Sequence, residues 1–191
     1  MDLQTEPAIT QSKLRQMFSR MVRVSRLDGS AFLELRNDEK ATGQAVAVVA
    51  LATLSYGIGF NLFIGFQTNN FRATDLVVEI LTTMIIGMFS TLVWSFTTFL
   101  VGTKLFKGVT TFWGLVRPLF FSTAPGVLFL LISVPQTLVY QIATVVAAGW
   151  IIVAGVFAVK NAMGFSSARS MLTYLVGFWG LFAVLSFFSP R

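Results

Sequence analysis

Five apolar stretches occupy the chain from about residue 45 onward, at 45–66, 76–101, 112–134, 138–159 and 171–188, with polar or basic residues in every gap. A hydrocarbon core of about 30 Å takes roughly 20 helical residues at about 1.5 Å each, so these stretches have the length of membrane spans. The pattern predicts an all-α fold, a polytopic bundle of five transmembrane helices. The second stretch exceeds the thickness of the core and is expected to tilt or bend. Pro135, Gln136 and Thr137 leave only a tight link between the third and fourth, which makes those two an antiparallel hairpin.

Upstream of the first span the pattern changes. Between residues 12 and 27, Leu14, Met17, Phe18, Met21 and Val22 recur at helical spacing, and Lys13, Arg15, Arg20, Arg23 and Arg26 add five cations with no acid among them. This predicts an N-terminal cytoplasmic amphipathic helix. Three placements stand for it. It can lie in the headgroup layer, where each cation near an anionic leaflet contributes about 1 kcal/mol. It can pack its apolar stripe on the ends of the spans, or dock a partner protein. A second short helix is expected after Asp28, with Phe32, Leu33 and Leu35 apolar and Asp28 or Ser30 as its N-cap. The division is therefore a tail, 1–41, and a membrane domain, 42–191. No signal-peptide core precedes the first span, so insertion is expected to begin there.

Charge adds an orientation. The tail carries Arg36 and Lys40 besides its helix cations, the second loop has Lys104 and Lys107, and the fourth has Lys160 and Arg169. With five spans all of these fall on one side, leaving Arg72 and Arg191 on the other. Short cytoplasmic loops retain Lys and Arg, so the N-terminus is expected in the cytoplasm and the C-terminus outside a cell membrane. The net charge of +6 expresses this asymmetry.

Composition narrows the chemistry. Hydrophobic residues make up 55% of the 191 and charged residues 12%, against roughly 25% charged in soluble domains. Cysteine and histidine are absent, which removes thiolate chemistry, imidazole bases and the commonest metal ligands. No phosphate-cradling glycine loop, paired intramembrane carboxylates or Ser-His set is present. Neither an enzyme nor a metal or cofactor site is expected. Nucleic-acid binding is not expected either, since the cations follow membrane topology.

Charges within spans are a default sign of function. Glu79 and Arg117 are such charges, but the topology puts them at opposite faces. Arg117 can snorkel inward, and Glu79 can reach the outer headgroups or stay protonated against a hydroxyl; a proton or substrate role for Glu79 is the alternative. Hydroxyls such as Thr83, Thr91 and Thr98 line the second span, and many glycines and alanines permit close helix packing. Pro125, near the middle of the third span, is expected to kink it.

The run Gly102, Thr103, Lys104, Leu105 and Phe106, then Phe112, Trp113, Leu115, Arg117 and Phe121, then Ala124, Pro125 and Gly126, resembles the central part of the Yip domain. This is the Ypt/Rab-interacting family of five-span membrane proteins. Arg26, Leu27, Asp28, Phe32, Glu34, Asp38 and Gln44 upstream, and Trp150, Lys160 and Arg169 downstream, extend the likeness over most of 23–185. The resemblance implies a cytoplasmic N-terminus and a non-enzymatic role. The tyrosine-glycine-proline motif of eukaryotic members is missing before the first span, so small-GTPase binding is not expected. The compact form is similar to prokaryotic members, which implies a prokaryotic plasma membrane.

The resulting expectation is an integral membrane scaffold that organises membrane or partner proteins without catalysis. Its contacts would be the bilayer and its anionic lipids, other membrane proteins and further copies of itself in a homo-oligomer. The alternative is a small transporter or channel component with a cavity beside Pro125.

Overall fold

Helices α3, Thr42–Thr68, and α6, Thr137–Met163, contain 27 residues each, about 40 Å of helix and more than a bilayer core requires. The computed structural model describes the backbone of residues 5–69 and 72–188, with side chains at 12–69, 72 and 74–181. Every regular element among these residues is helical. Before α3 come α1, Thr5–Ser25, α2, Gly29–Asn37, and a 3-10 turn at Glu39–Ala41. After it, α4, Ala73–Leu100, runs into a π turn at Val101–Leu105. Then follow α5, Phe112–Phe121, a 3-10 segment at Ala124–Ser133, α6, and α7, Ser167–Phe188.

Four stretches among the described residues are long and apolar enough to cross a membrane: Glu39–Thr68, Thr74–Leu105, Phe112–Ser133 and Thr137–Met163. The chain is a multi-pass membrane protein. The fifth expected span falls on α7, 22 residues long, whose side chains beyond Leu181 lie outside the described residues. The helix expected at 12–27 matches α1 only as far as Ser25, where α1 ends in a Schellman turn that takes in positions 26 and 27. Leu27 takes a left-handed φ of 60° while its N–H donates to Val24 O and that of Asp28 to Arg23 O.

The third span is broken rather than kinked. α5 stops at Phe121, where Ser122 Oγ donates to Leu119 O at 2.6 Å and Thr123 Oγ1 to Phe120 O at 2.7 Å. The Ser122 hydroxyl thus meets a carbonyl freed at the buried helix end, while Phe120 O takes both the Thr123 hydroxyl and the Thr123 N–H, the latter at 3.2 Å. Pro125 then starts ten residues of 3-10 helix. At about 2.0 Å per residue this run covers about 20 Å, and α5 adds about 15 Å, so the pair still spans the core. Such long 3-10 runs are uncommon. This one is held against α3, where Gly59 leaves no room for a side chain: a Cβ there would collide with Phe129 O and lie 2.6 Å from Ile132 Cγ1.

α4 is the peripheral helix. Val78, Ile85, Ile86 and Phe89 are all more than half exposed, as a lipid-facing surface requires. Its other edges meet α3 and α7; Thr97 Oγ1 donates to Gly177 O at 2.6 Å across the α4/α7 contact, and Trp94 meets Tyr174 edge to face at 4.7 Å.

Candidate functional site

α1 and α2 fold back onto one end of the bundle. Asp28 begins α2 as its N-cap, accepting from Ser30 N at 2.9 Å. Ala31, Phe32 and Leu35 are fully buried and join a core with Leu115, Val116 and Leu119 of α5 and Ala158, Val159 and Ala162 of α6. Burying a Phe or Leu side chain stabilises by roughly 1.5–3 kcal/mol. Met17, Met21 and Val24 bring α1 into the same core. Its remaining apolar stripe, Leu14, Phe18 and Val22, stays about half exposed. The helix therefore has two apolar faces, one against the protein and one turned outward.

Arg20 and Arg23, expected among the headgroup contacts, direct their guanidinium groups to acids of the protein itself, Arg20 buried and Arg23 still 36% exposed. Arg20 is only 3% exposed. Its Nε donates to Glu34 Oε1 at 2.9 Å, Nη1 to Gln44 Oε1 at 2.8 Å, and Nη2 to Asp38 Oδ2. Arg23 donates to Asp28 Oδ2 at 2.9 Å, to Glu34 Oε2 at 2.7 Å and to Ser30 Oγ at 3.0 Å. The acids come from α2 and its two caps, Asp28 and Asp38, outside the acid-free stretch of α1. Lys13, Arg15 and Arg26 remain exposed.

The network lowers the acids' pKa values. Hydrogen bonds from Ser30 and Arg23 bring Asp28 down to about 2 from its ordinary 3.8. Burial pushes Glu34 and Asp38 up, but Arg23 and Arg20 on the first, and Arg20, Lys40 N and the charge of Arg117 on the second, outweigh it. Each acid thus holds its proton less tightly in the folded chain than in the detached one. The stabilisation is complete above about pH 4.5, and falls away as the pH drops through the lowered values toward about 2. Acidification across that window is expected to detach α1, seen as a change in fluorescence of Trp150, whose Nε1 donates to Ser25 O at 2.8 Å. An unchanged signal down to pH 2 would contradict it.

Arg117 forms a second clamp. Only 5% exposed, it reaches out of α5 toward the C-terminus of α2, where Nη1 donates to Leu35 O at 3.2 Å and to Arg36 O at 3.1 Å. A cation on the final carbonyls of a helix meets both the bare acceptors and the negative end of the dipole. Arg36 in turn donates to Val109 O at 3.2 Å, tying α2 to the α4–α5 loop.

That loop carries Lys104 and Lys107, and it packs on the α6–α7 turn: a Cβ at Gly108 would lie 2.6 Å from Phe165 Cζ and 3.0 Å from Met163 Sδ. Lys160 donates to Ser167 Oγ at 3.0 Å and Arg169 stands over the Phe165 ring at 5.4 Å. Gly29 of α2 lies against Asn161. The segments bearing Lys104, Lys107, Lys160 and Arg169 are thus brought to the same end as α2. Sequence reasoning missed Glu34, Asp38 and Gln44 as the partners of Arg20; the i, i+4 spacing of Glu34 and Asp38 was the available signal.

Glu79 stands at the other end, exposed, in a niche of about 80 Å³ shared with Arg72, Asp75 and the buried Asn61. It is not brought to Arg117. Beside the 3-10 segment that contains Pro125, a cleft of about 390 Å³ opens between α3 and α4, lined by Thr53, Tyr56, Thr83, Thr91, Trp94 and Phe129 among others.

A sequence model of the Yip1 domain matches residues 25–189, most of the chain. The chain belongs to the Yip1 domain family. No curated protein and no solved structure matches it. The Yip1 domain begins at the end of α1, so α2 and its clamp on Arg117 lie inside the matched region while most of α1 precedes it. The Yip1 family is not a known enzyme family, and its membership together with the apolar helices fits a membrane-associated role.

Proposed function

We propose that this Yip1 domain protein is a non-catalytic membrane scaffold whose N-terminus and basic loops face the cytoplasm. The observation that carries the reading is the gathering of the segments bearing Lys104, Lys107, Lys160 and Arg169 at the end where α1 and α2 are clamped. Together with Lys13 and Arg15 of α1 they form a basic face suited to anionic headgroups and to acidic segments of neighbouring membrane proteins. Pre-ordering by Arg20 and Arg117 keeps the entropic cost of docking low.

The cleft beside Pro125 gives the transporter reading less support. Hydroxyls of Thr53, Thr91 and Thr123 in its wall donate to carbonyls of their own segments at 2.7–2.8 Å. Trp94 Nε1, buried without a partner among the described residues, and the hydroxyls of Tyr56 and Thr83 are the polar groups left to a solute in an otherwise apolar wall.

The test is cross-linking in native membranes followed by purification of the full chain, with wild type compared to a variant carrying K104E, K107E, K160E and R169E. Recovery of specific membrane partners is expected to fall at least tenfold at equal expression. Undiminished recovery, or solute flux through purified protein in liposomes, would overturn the reading.

A further inference from the structure

Two grooves meet at the end of α1, and both are lined by Ser25, Arg26 and Trp150. The first, about 510 Å³, continues along the outer face of α6 past Leu27, Val145, Val146, Gly149 and Val153. The second, about 460 Å³, runs under α1 between Phe18, Met21, Val22, Leu51, Ala124 and Val127. Apart from Arg26 and Ser25 these walls are apolar. Both volumes fall within the roughly 300–1,000 Å³ typical of ligand pockets. The hydrogen bond from Trp150 Nε1 to Ser25 O fixes the partition between them.

Arg26, one residue beyond α1, is unpaired among the described residues like Lys13 and Arg15, but unlike them it lines both grooves. Arg20 and Arg23 are held by Glu34, the caps of α2, Ser30 and Gln44, whereas the exposed guanidinium of Arg26 has no hydrogen bond or ion pair among the described residues. It lies beside Trp150, eleven residues before Asn161 on α6 and so about 16 Å along the helix from the point where α2 touches it. A cation on the apolar flank of a span is costly without a counter-ion. Phosphate suits arginine, whose planar fork can bond two of its oxygens together.

We infer that Arg26 and the two grooves form a binding site for one two-chain anionic phospholipid, the phosphate on the guanidinium and one acyl chain in each groove. Charge complementarity supplies the phosphate site, and the paired apolar walls select a lipid over a free phosphate. Gly149 keeps the first groove open; a Cβ there would meet nothing within 4 Å. The site deepens the scaffold reading and rests on its placement of α1 at the bilayer, but needs none of the loop cations.

Native mass spectrometry of the full chain in mild detergent tests it, with dioleoylphosphatidylglycerol, dioleoylphosphatidylcholine and soluble glycerol phosphate as probes. Wild type is expected to retain one equivalent of the phosphatidylglycerol, at least tenfold more tightly than the phosphatidylcholine, and no glycerol phosphate. R26Q should weaken retention about tenfold. G149L, which fills the first groove without touching Arg26 or crowding α6, should weaken it to a similar degree. K104E with K107E removes headgroup contacts at the loops, outside both grooves, and should leave this one tightly held equivalent in place, which separates failure of this site from failure of the partner-docking face. Equal retention by R26Q and wild type, equal retention by G149L and wild type, equal binding of the two lipids, or binding of glycerol phosphate comparable to lipid would each overturn the assignment.

Discussion

Alanine at Gly59 is expected to destabilise the folded bundle by about 2–3 kcal/mol, because its Cβ has nowhere to go. The obstructing atom is a backbone carbonyl, Phe129 O, with Ile132 Cγ1 close behind. A flexible side chain could swing aside; this carbonyl belongs to a 3-10 segment that is itself held by α3 and α6. Relief therefore requires α3 and the 3-10 segment to separate, which strips dispersion contacts along their length. Alanine at Gly149, whose Cβ meets nothing within 4 Å, should instead be neutral or raise stability by up to about 1 kcal/mol through helix propensity. Thermal unfolding in one detergent measures both. Similar midpoints for the two variants would refute the close packing.

The R117M variant is expected to release α2 while leaving the spans folded. Methionine keeps much of the apolar stem but removes the donor to Leu35 O and Arg36 O. Losing a charged hydrogen bond and its favourable interaction with the helix dipole costs about 2–3 kcal/mol. Amide exchange of the α2 backbone, Gly29–Asn37, should then quicken by roughly 30–150-fold, at about tenfold per 1.4 kcal/mol. R20M removes a different clamp, and the faster exchange should centre on α1. If R117M and R20M alter exchange only within α5 and α1 respectively, neither residue holds the tail to the bundle.

Much of this architecture was legible because lipid imposes a simple rule: apolar runs of sufficient length become helices. The polar breaks around Asn69 and Lys160, and the cap at Asp28, were readable from local chemistry. The role of Arg117 was only half visible. Its apolar surroundings required an escape route, but its acceptors, Leu35 O and Arg36 O, are backbone atoms more than 80 positions away and carry no side-chain signature. Arg20 was misjudged for a related reason. An acid-free window from 12 to 27 looked like a cationic surface, while the neutralising acids sat on the next helix. Pro125 announced a distortion, but whether a proline bends a helix or ends it depends on hydroxyls such as Ser122 and Thr123 capping the broken end. The outward stripe of Leu14, Phe18 and Val22 was visible in the periodicity; that Met17 and Met21 belong to a second, buried face was not, because helical spacing alone does not assign partners.

The central claim is that α1, α2 and the loops around Lys107 and Ser166 share one end of a membrane bundle, opposite the turns at Gln67 and Gln136. The chain contains no cysteine, so single cysteines at Ser30, Lys107, Ser166, Gln67 and Gln136 can be labelled with a membrane-impermeant maleimide in intact cells and in inverted vesicles. Positions 30, 107 and 166 should react only in inverted vesicles, and 67 and 136 only in intact cells. Labelling of position 107 from the same side as position 67 would contradict the account.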